Sequence, residues 1–203
     1  MASLRAVVEI VPIADGPAPW PVAEDGDHRW ETLDARTAPA VIGTVLAAAA
    51  EWCRPEDLDE DHLPTPAEAL GWIAASDYLV IGGGIQALDG QTRVDPGCCC
   101  EINDWHGWGD ADRRSAMWLG HSPEPWIEQT VDGLVVHQDK DEPERAAVSI
   151  AAGELPQLLA ALRDDLTGFL GAVQRWVTQL TGDPDLAEAV VASIDRHVGI
   201  RRG

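Results

Sequence analysis

One lysine, one phenylalanine and one tyrosine occur among 203 residues, and 14 basic side chains stand against 35 acidic ones. That scarcity of positive charge leaves a formal net charge of −21 at neutral pH. A polyanion is repelled by such a chain rather than held through counterion release, which excludes general nucleic-acid binding. An anionic membrane surface is disfavoured for the same reason. Near the start no apolar run reaches signal-peptide or membrane length, because Arg5, Glu9 and Asp15 break up the stretch from Leu4 to Ile13. A cytoplasmic protein that does not engage membranes is the expectation. Spaced cysteine pairs are also lacking: Cys98, Cys99 and Cys100 are consecutive and Cys53 lies far upstream. Reduced thiols fit this better than a secreted disulfide framework. No G-x-S-x-G, kinase, Walker or H-E-x-x-H signature appears.

What is present is the composition of a globular chain, 45% apolar and 24% charged, long enough to bury one sizeable core. A single α+β domain over residues 1–203 is the default. The acid is concentrated early. Residues 1–70 carry four basic and fourteen acidic groups, 71–145 five and fourteen, and 146–203 five and seven.

Periodicity supplies the elements. Leu4 to Ile13 is rich in β-branched residues and ends at an Asp15-Gly16-Pro17 breaker, so it reads as an opening strand. From Pro39, two rows (Val41, Val45, Ala48, Trp52 and Ile42, Leu46, Ala49, Cys53) make a broad helical face that Pro55 cannot continue. Trp52, Trp72 and Trp176 are expected in the core. Pro66 opens a short helix through Ala75. Two hairpins are expected, each turning at an Asp-Gly pair: Tyr78–Leu88 with Gln91–Val94 around Asp89-Gly90, and Trp126–Val131 with Leu134–His137 around Asp132-Gly133. Ala147 to Ile150 adds another strand. From Leu155 to Leu180, alternating four- and three-residue spacings of apolar residues predict one long amphipathic helix. Gly182 ends it, and Asp183-Pro184 starts the last helix. The heptads fit a coiled-coil dimer or, more simply, a helical hairpin on the chain's own sheet. Monomer and homodimer both stay open. The expected fold is α+β: one antiparallel sheet of about five to six strands covered by an N-terminal helix and a C-terminal helical hairpin.

The chemistry concentrates in Asp95-Pro96-Gly97-Cys98-Cys99-Cys100-Glu101-Ile102-Asn103-Asp104-Trp105-His106-Gly107-Trp108. This string resembles uncharacterised acidic proteins of actinobacteria that carry a PGCCC run followed shortly by W-x-x-W. The likeness spans residues 78–126, and Glu101 stands where that motif has Gly. The resemblance implies no activity, cofactor or residue role. From the residues themselves, a metal would need Cys98 and Cys100 with His106 or His121, against the usual C-x₂₋₄-C spacing. A nucleophile would be Cys100, its thiol favoured by the start of a short helix from Ile102, with His106 or His121 as base. The plainer reading makes the cysteines small buried apolar residues at a tight turn under Trp105 and Trp108. No cofactor is expected.

Gly82-Gly83-Gly84 runs on into a strand and lacks the helix that phosphate loops need, so it reads as a close backbone approach. Asp57, Asp59, Asp61, Thr65 and Glu68 match calcium-loop positions, but His62 replaces the turn glycine and Pro64 and Pro66 stiffen the loop. Charge and nine tryptophans together give the functional expectation. This is a non-catalytic protein of inhibitor or immunity type, binding a basic partner such as a toxin domain, through Asp139, Asp141, Glu142, Glu144 and Trp126. The rival expectation is a thiol- or metal-dependent enzyme centred on Cys98–Cys100 with His106 and His121.

Overall fold

The computed structural model describes residues 1–10, 18–23, 29–59, 61–111, 117–142 and 144–201. The continuation of the first strand to Ile13 and the Asp15-Gly16-Pro17 breaker lie outside these residues. In chain order the elements are β1 (Ala2–Ile10), β2 (Arg29–Thr32), α1 (Pro39–Trp52), α2 (Pro66–Ala75), β3 (Gly84–Asp89) and β4 (Thr92–Val94). A 3-10 helix (Ile102–Asp110), β5 (Trp126–Thr130), β6 (Gly133–His137), β7 (Ala147–Ala151), α3 (Leu155–Thr181) and α4 (Pro184–Val198) follow. The class is α+β.

The strands form two sheets rather than the single one expected. One has the order β2-β1-β3-β4 and the other β5-β6-β7. The reason lies between the hairpins. β4 is three residues long and ends at Asp95-Pro96, where proline removes the donor a longer ladder would need. The chain then leaves the sheet for the 3-10 helix, so the second hairpin pairs with β7 instead.

Contacts divide the chain into two compact units, Met1–Val8 with Gly82–Asp165 and Glu9–Ile81 with Leu166–Gly203. In the first, Ala2 to Val7 of β1 pair antiparallel with β3 from Ala2↔Asp89 to Val7↔Gly84. In β6 and β7 the buried residues alternate, and the register places Leu134 opposite Ile150 and Val136 opposite Val148. Each pair contributes cross-strand apolar contact on the inner face. β5 is the polar edge, as its exposed Glu128, Gln129 and Thr130 require.

In the second unit, α2 packs on α1 and on α4. Thr65 caps α2 in a reciprocal box with Glu68, and Pro66 fills the first position. Asp183 accepts from the N–H groups of Asp185 and Leu186 to start α4, which ends at Gly199 in the left-handed region. α1 buries Val41, Ile42, Val45, Leu46 and Ala49, but Ala48 is exposed and Trp52 is 60% exposed. Both continue the Val41–Val45 row, but Ala48 lies at its outer edge and Trp52 is the last residue of α1, where that row ends. The expectation that Trp52 is a core residue is therefore corrected. Trp72 and Trp176 are half-buried, and Trp20 meets the Trp176 ring edge-on at 5.5 Å.

Candidate functional site

The cysteine run sits in the first unit, and its approach is fixed by a buried amide. Gln138, just after β6, accepts from Asp95 N–H at 2.8 Å and donates to Asp95 C=O at 3.0 Å, clamping the peptide that leads into Pro96. Gln86 of β3 donates to the Asp95 carboxylate at 2.6 Å. Gly83 N–H donates to Cys100 C=O at 3.0 Å, and a Cβ on Gly84 would lie 2.5 Å from Pro96 Cβ. Of the glycine triplet, Gly84 thus serves a close approach to the cysteine loop and Gly83 one to Val7 of β1, while a side chain on Gly82 would meet nothing within 4 Å.

Between these anchors Gly97 crosses Gly120. A Cβ on Gly97 would lie 2.5 Å from His121 N and 2.7 Å from Gly120 C, a separation no side chain tolerates. The crossing brings two distant segments into register. Gly97 N–H donates to Leu119 C=O at 2.8 Å, Cys98 N–H to His121 C=O at 2.7 Å, and His121 N–H back to Cys98 C=O at 3.2 Å. Residues that exchange both bonds are directly opposite in an antiparallel pair, so the Cys98 and His121 side chains leave the ladder on one side. Adjacent side chains of an extended strand point apart, but Cys99 has φ +70°, which turns its side chain back toward Cys98. The two sulfurs lie 2.6 Å apart with no disulfide bond between them. Cys98, Cys99 and His121, all exposed, have ligand-capable atoms within 4.8 Å of one another. Trp118, 54% exposed, meets the His121 ring at 6.0 Å, and Ser122 Oγ lies 3.2 Å from His121 Nδ1.

Cys100 and His106 do not belong to this trio. Cys100 is buried, and desolvation, followed by the nearby Asp104 carboxylate, pushes its thiol up to about 12. That is opposite to the lowering expected of a helix-activated nucleophile. Trp105 and Trp108 are buried in the 3-10 helix; Arg163 of α3 lies 5.5 Å from the Trp105 ring centroid, and the exposed His106 ring lies 4.3 Å from it, tilted by 34°. The two tryptophans and Cys100 therefore match the packing reading, whereas Cys98 and Cys99 do not. The decisive signal missing from the sequence reading is the left-handed Cys99.

The other predicted residues fall as follows. Glu68 Oε2 accepts from Thr65 N–H and Oγ–H at 2.8 and 2.7 Å, which holds its pKa below the usual range and commits that oxygen to the cap, while Oε1 lies 3.8 Å from His62 Nε2. In the 139–144 segment, Asp139 faces Arg145 at 3.8 Å and so has a counter-charge, while Lys140 pairs with Glu124 outside the segment. Asp141, Glu142 and Glu144 are exposed. Trp126 is half-buried and stacked flat on His137 at 4.3 Å, while His137 Nε2 contacts Glu128 at 3.1 Å. Trp126 Nε1 and His137 Nδ1 have no hydrogen-bond partner among the described residues.

A different acidic surface stands out in the second unit. Trp52 and Tyr78 are 60% and 58% exposed, and Cys53 Sγ, 3.9 Å from Tyr78 C=O, ties the end of α1 to the Asp77-Tyr78 segment. Glu51, Glu56, Asp57, Asp59 and Asp77, in the same stretches of chain, are exposed and form no ion pair among the described residues. Arg54 is turned inward to the carbonyls of Asp59 and His62. Among the described residues, no helix is long and apolar enough to cross a membrane. Compared with protein-family models, curated proteins and solved structures, the chain matches none.

Proposed function

We propose that this is a non-catalytic, cytoplasmic binding protein of inhibitor or immunity type, whose partner is a basic protein such as a toxin domain. One observation supports the reading: two exposed aromatic rings, Trp52 and Tyr78, in segments whose exposed carboxylates Glu51, Glu56, Asp57, Asp59 and Asp77 form no ion pair among the described residues. Unpaired acid steers a cationic surface inward, and an exposed Trp supplies the short-range energy once it arrives. The 139–144 segment fits less well, because Asp139 already faces Arg145 and the cation of Lys140 lies within the segment.

The test uses the full chain as bait in extract from its own host, with salt-eluted proteins identified and the association then measured kinetically with the purified partner. A basic protein is expected. Its on-rate falls at least tenfold from low to physiological salt, Glu56→Gln/Asp57→Asn/Asp59→Asn reduces both on-rate and salt slope, and Trp52→Ala acts on the off-rate. Unchanged rates in all these variants overturn the reading. A second reading, a thiol- or metal-dependent enzyme at the cysteine run, is favoured by the convergence of Cys98, Cys99 and His121; Cys100 and His106 drop out of it.

A further inference from the structure

We infer that Cys98, Cys99 and His121 form a binding site for a thiophilic d¹⁰ cation, Zn²⁺ or Cu⁺, an inference that stands whether or not the protein is an enzyme or binds a basic partner. Three features carry it. The ligand types are right: two thiolates and an imidazole select zinc or monovalent copper over the hard cations that carboxylates prefer. The spacing is within reach of a cation's demand as well. Zinc–sulfur bonds of about 2.3 Å at tetrahedral angles require sulfurs about 3.8 Å apart. The three ligand atoms lie within 4.8 Å of one another, and the sulfurs, now at 2.6 Å, open to that separation by rotation of two exposed side chains.

The third feature is the frame. Cys98 and His121 are locked opposite each other by both backbone hydrogen bonds of a ladder pair, so neither ligand must be brought in from elsewhere when a cation binds. The Gly97–Gly120 crossing holds that pair in place, and the left-handed Cys99 supplies the third donor from the adjacent position. A Ser122 hydroxyl 3.2 Å from Nδ1 is placed to accept a proton held there, leaving the Nε2 lone pair for the cation. On binding, each thiol gives up its proton to solvent and each sulfur donates one electron pair; no oxidant or reductant takes part. Three protein ligands complete a trigonal Cu⁺ site, whereas Zn²⁺ keeps a fourth position for water or another donor.

The experiment is a metal titration of the reduced full-length protein. In one arm Co²⁺ is added as the optical probe and displaced by Zn²⁺ against a chromogenic chelator; in the other, Cu⁺ is titrated against a bathocuproine-type competitor. One equivalent is expected to bind in at least one arm. In the Co²⁺ arm, sulfur-to-metal charge-transfer bands and tetrahedral-type visible bands are expected. Cys98→Ser, Cys99→Ser and His121→Ala should each weaken binding at least a hundredfold with the circular dichroism spectrum unchanged, while Cys53→Ser and Cys100→Ala should leave it within a few-fold. Cys99→Gly, which suits the left-handed backbone, gives a folded variant lacking the ligand if Cys99→Ser is unstable. Absence of stoichiometric binding in both arms overturns the site. So does binding that survives loss of His121, or binding that disappears with Cys53 or Cys100 while the protein stays folded.

Discussion

Cys99 sits at φ +70°, where a side chain costs roughly 1–2 kcal/mol that glycine does not incur. Cys99→Gly should therefore keep stability within about 1 kcal/mol of the parent, the relief of strain offsetting the greater freedom of the unfolded chain. Cys99→Val, β-branched, should lose about 2 kcal/mol or more. Denaturant midpoints decide it, and equal tolerance of Gly and Val would mean the backbone there is not held. Cys100 differs in kind from its neighbours, because it alone of the run is buried. Cys100→Ala should cost about 1 kcal/mol through lost packing, whereas alanine at Cys98 should be close to neutral. Alkaline pH separates them further. The folded thiol is raised from 9.0 to about 12, so between those values the unfolded chain releases a proton that the native one retains. Stability from this group is intact below pH 9 and falls as pH rises toward 12, and Cys100→Ala should flatten that part of the profile. A profile identical to the parent's would remove Cys100 from it. The cysteine run was legible in the sequence as a turn with chemistry attached. Its partner His121 was named among the alternatives, but choosing it over His106 depends on a backbone crossing between segments far apart in sequence. No local pattern encodes that crossing.

At the scale of elements, helix starts were the most readable feature, because proline and a capping side chain act within one turn. Pro39, Pro66 and Asp183-Pro184 each open a helix where expected, and the apolar spacing of α3 runs from Leu155 to Thr181. Both hairpin turns lie one residue from where they were expected, the first later and the second, with Val131-Asp132 as its loop, earlier. Asp89 pairs with Thr92, leaving Gly90 at φ +60° as the first loop residue and Gln91 outside the left-handed region, which is the demand of a II′ rather than a I′ turn. Strand pairing was less legible still: a strand's alternation says which face is buried but not which neighbour it takes. The single expected sheet therefore became two. Interior positions test the elements directly. Leu162 and Phe169 are 0% and 2% exposed, so Leu162→Asp and Phe169→Asp should each cost several kcal/mol, about 3 or more, by burying an unpaired charge. Thermal melts matching the parent would mean that face of α3 is not packed. Gln138 links the end of β6 to the cysteine loop, and Gln138→Leu would strand both the N–H and the C=O of Asp95. A loss of about 1–3 kcal/mol is expected in chemical denaturation. A loss within experimental error would show that Asp95 finds other partners.

For the whole molecule the controlling number is −21, since like charge at that level opposes the compact state through self-repulsion. Natural chains retain such a cost where the charge is used, and three uses suit an acidic chain: steering a basic partner, remaining soluble, or living in concentrated salt. Ionic strength distinguishes the last from the others. The Debye length falls from about 30 Å at roughly 0.01 M to about 8 Å at 0.15 M and about 3 Å at 1 M. If the acid works at ordinary ionic strength, the melting temperature should rise over the first interval and flatten by about 1 M, whichever simple chloride salt is used. Continued gains at several molar would identify salt adaptation instead. The face around Trp52 then separates steering from solubility. Changing Glu51 and Glu56 to Gln and Asp57 and Asp59 to Asn removes four like charges that have no ion-pair partner among the described residues. The variant should melt higher than the parent at low salt and show a shallower salt dependence, because repulsion is reduced and no ion pair is lost. Partner capture should weaken at the same time. Stability gained while binding is lost is the signature of charge maintained for association. A variant that gains stability and binds as before would make this acid a solubilising surface, and the partner-binding role would have to rest elsewhere on the molecule.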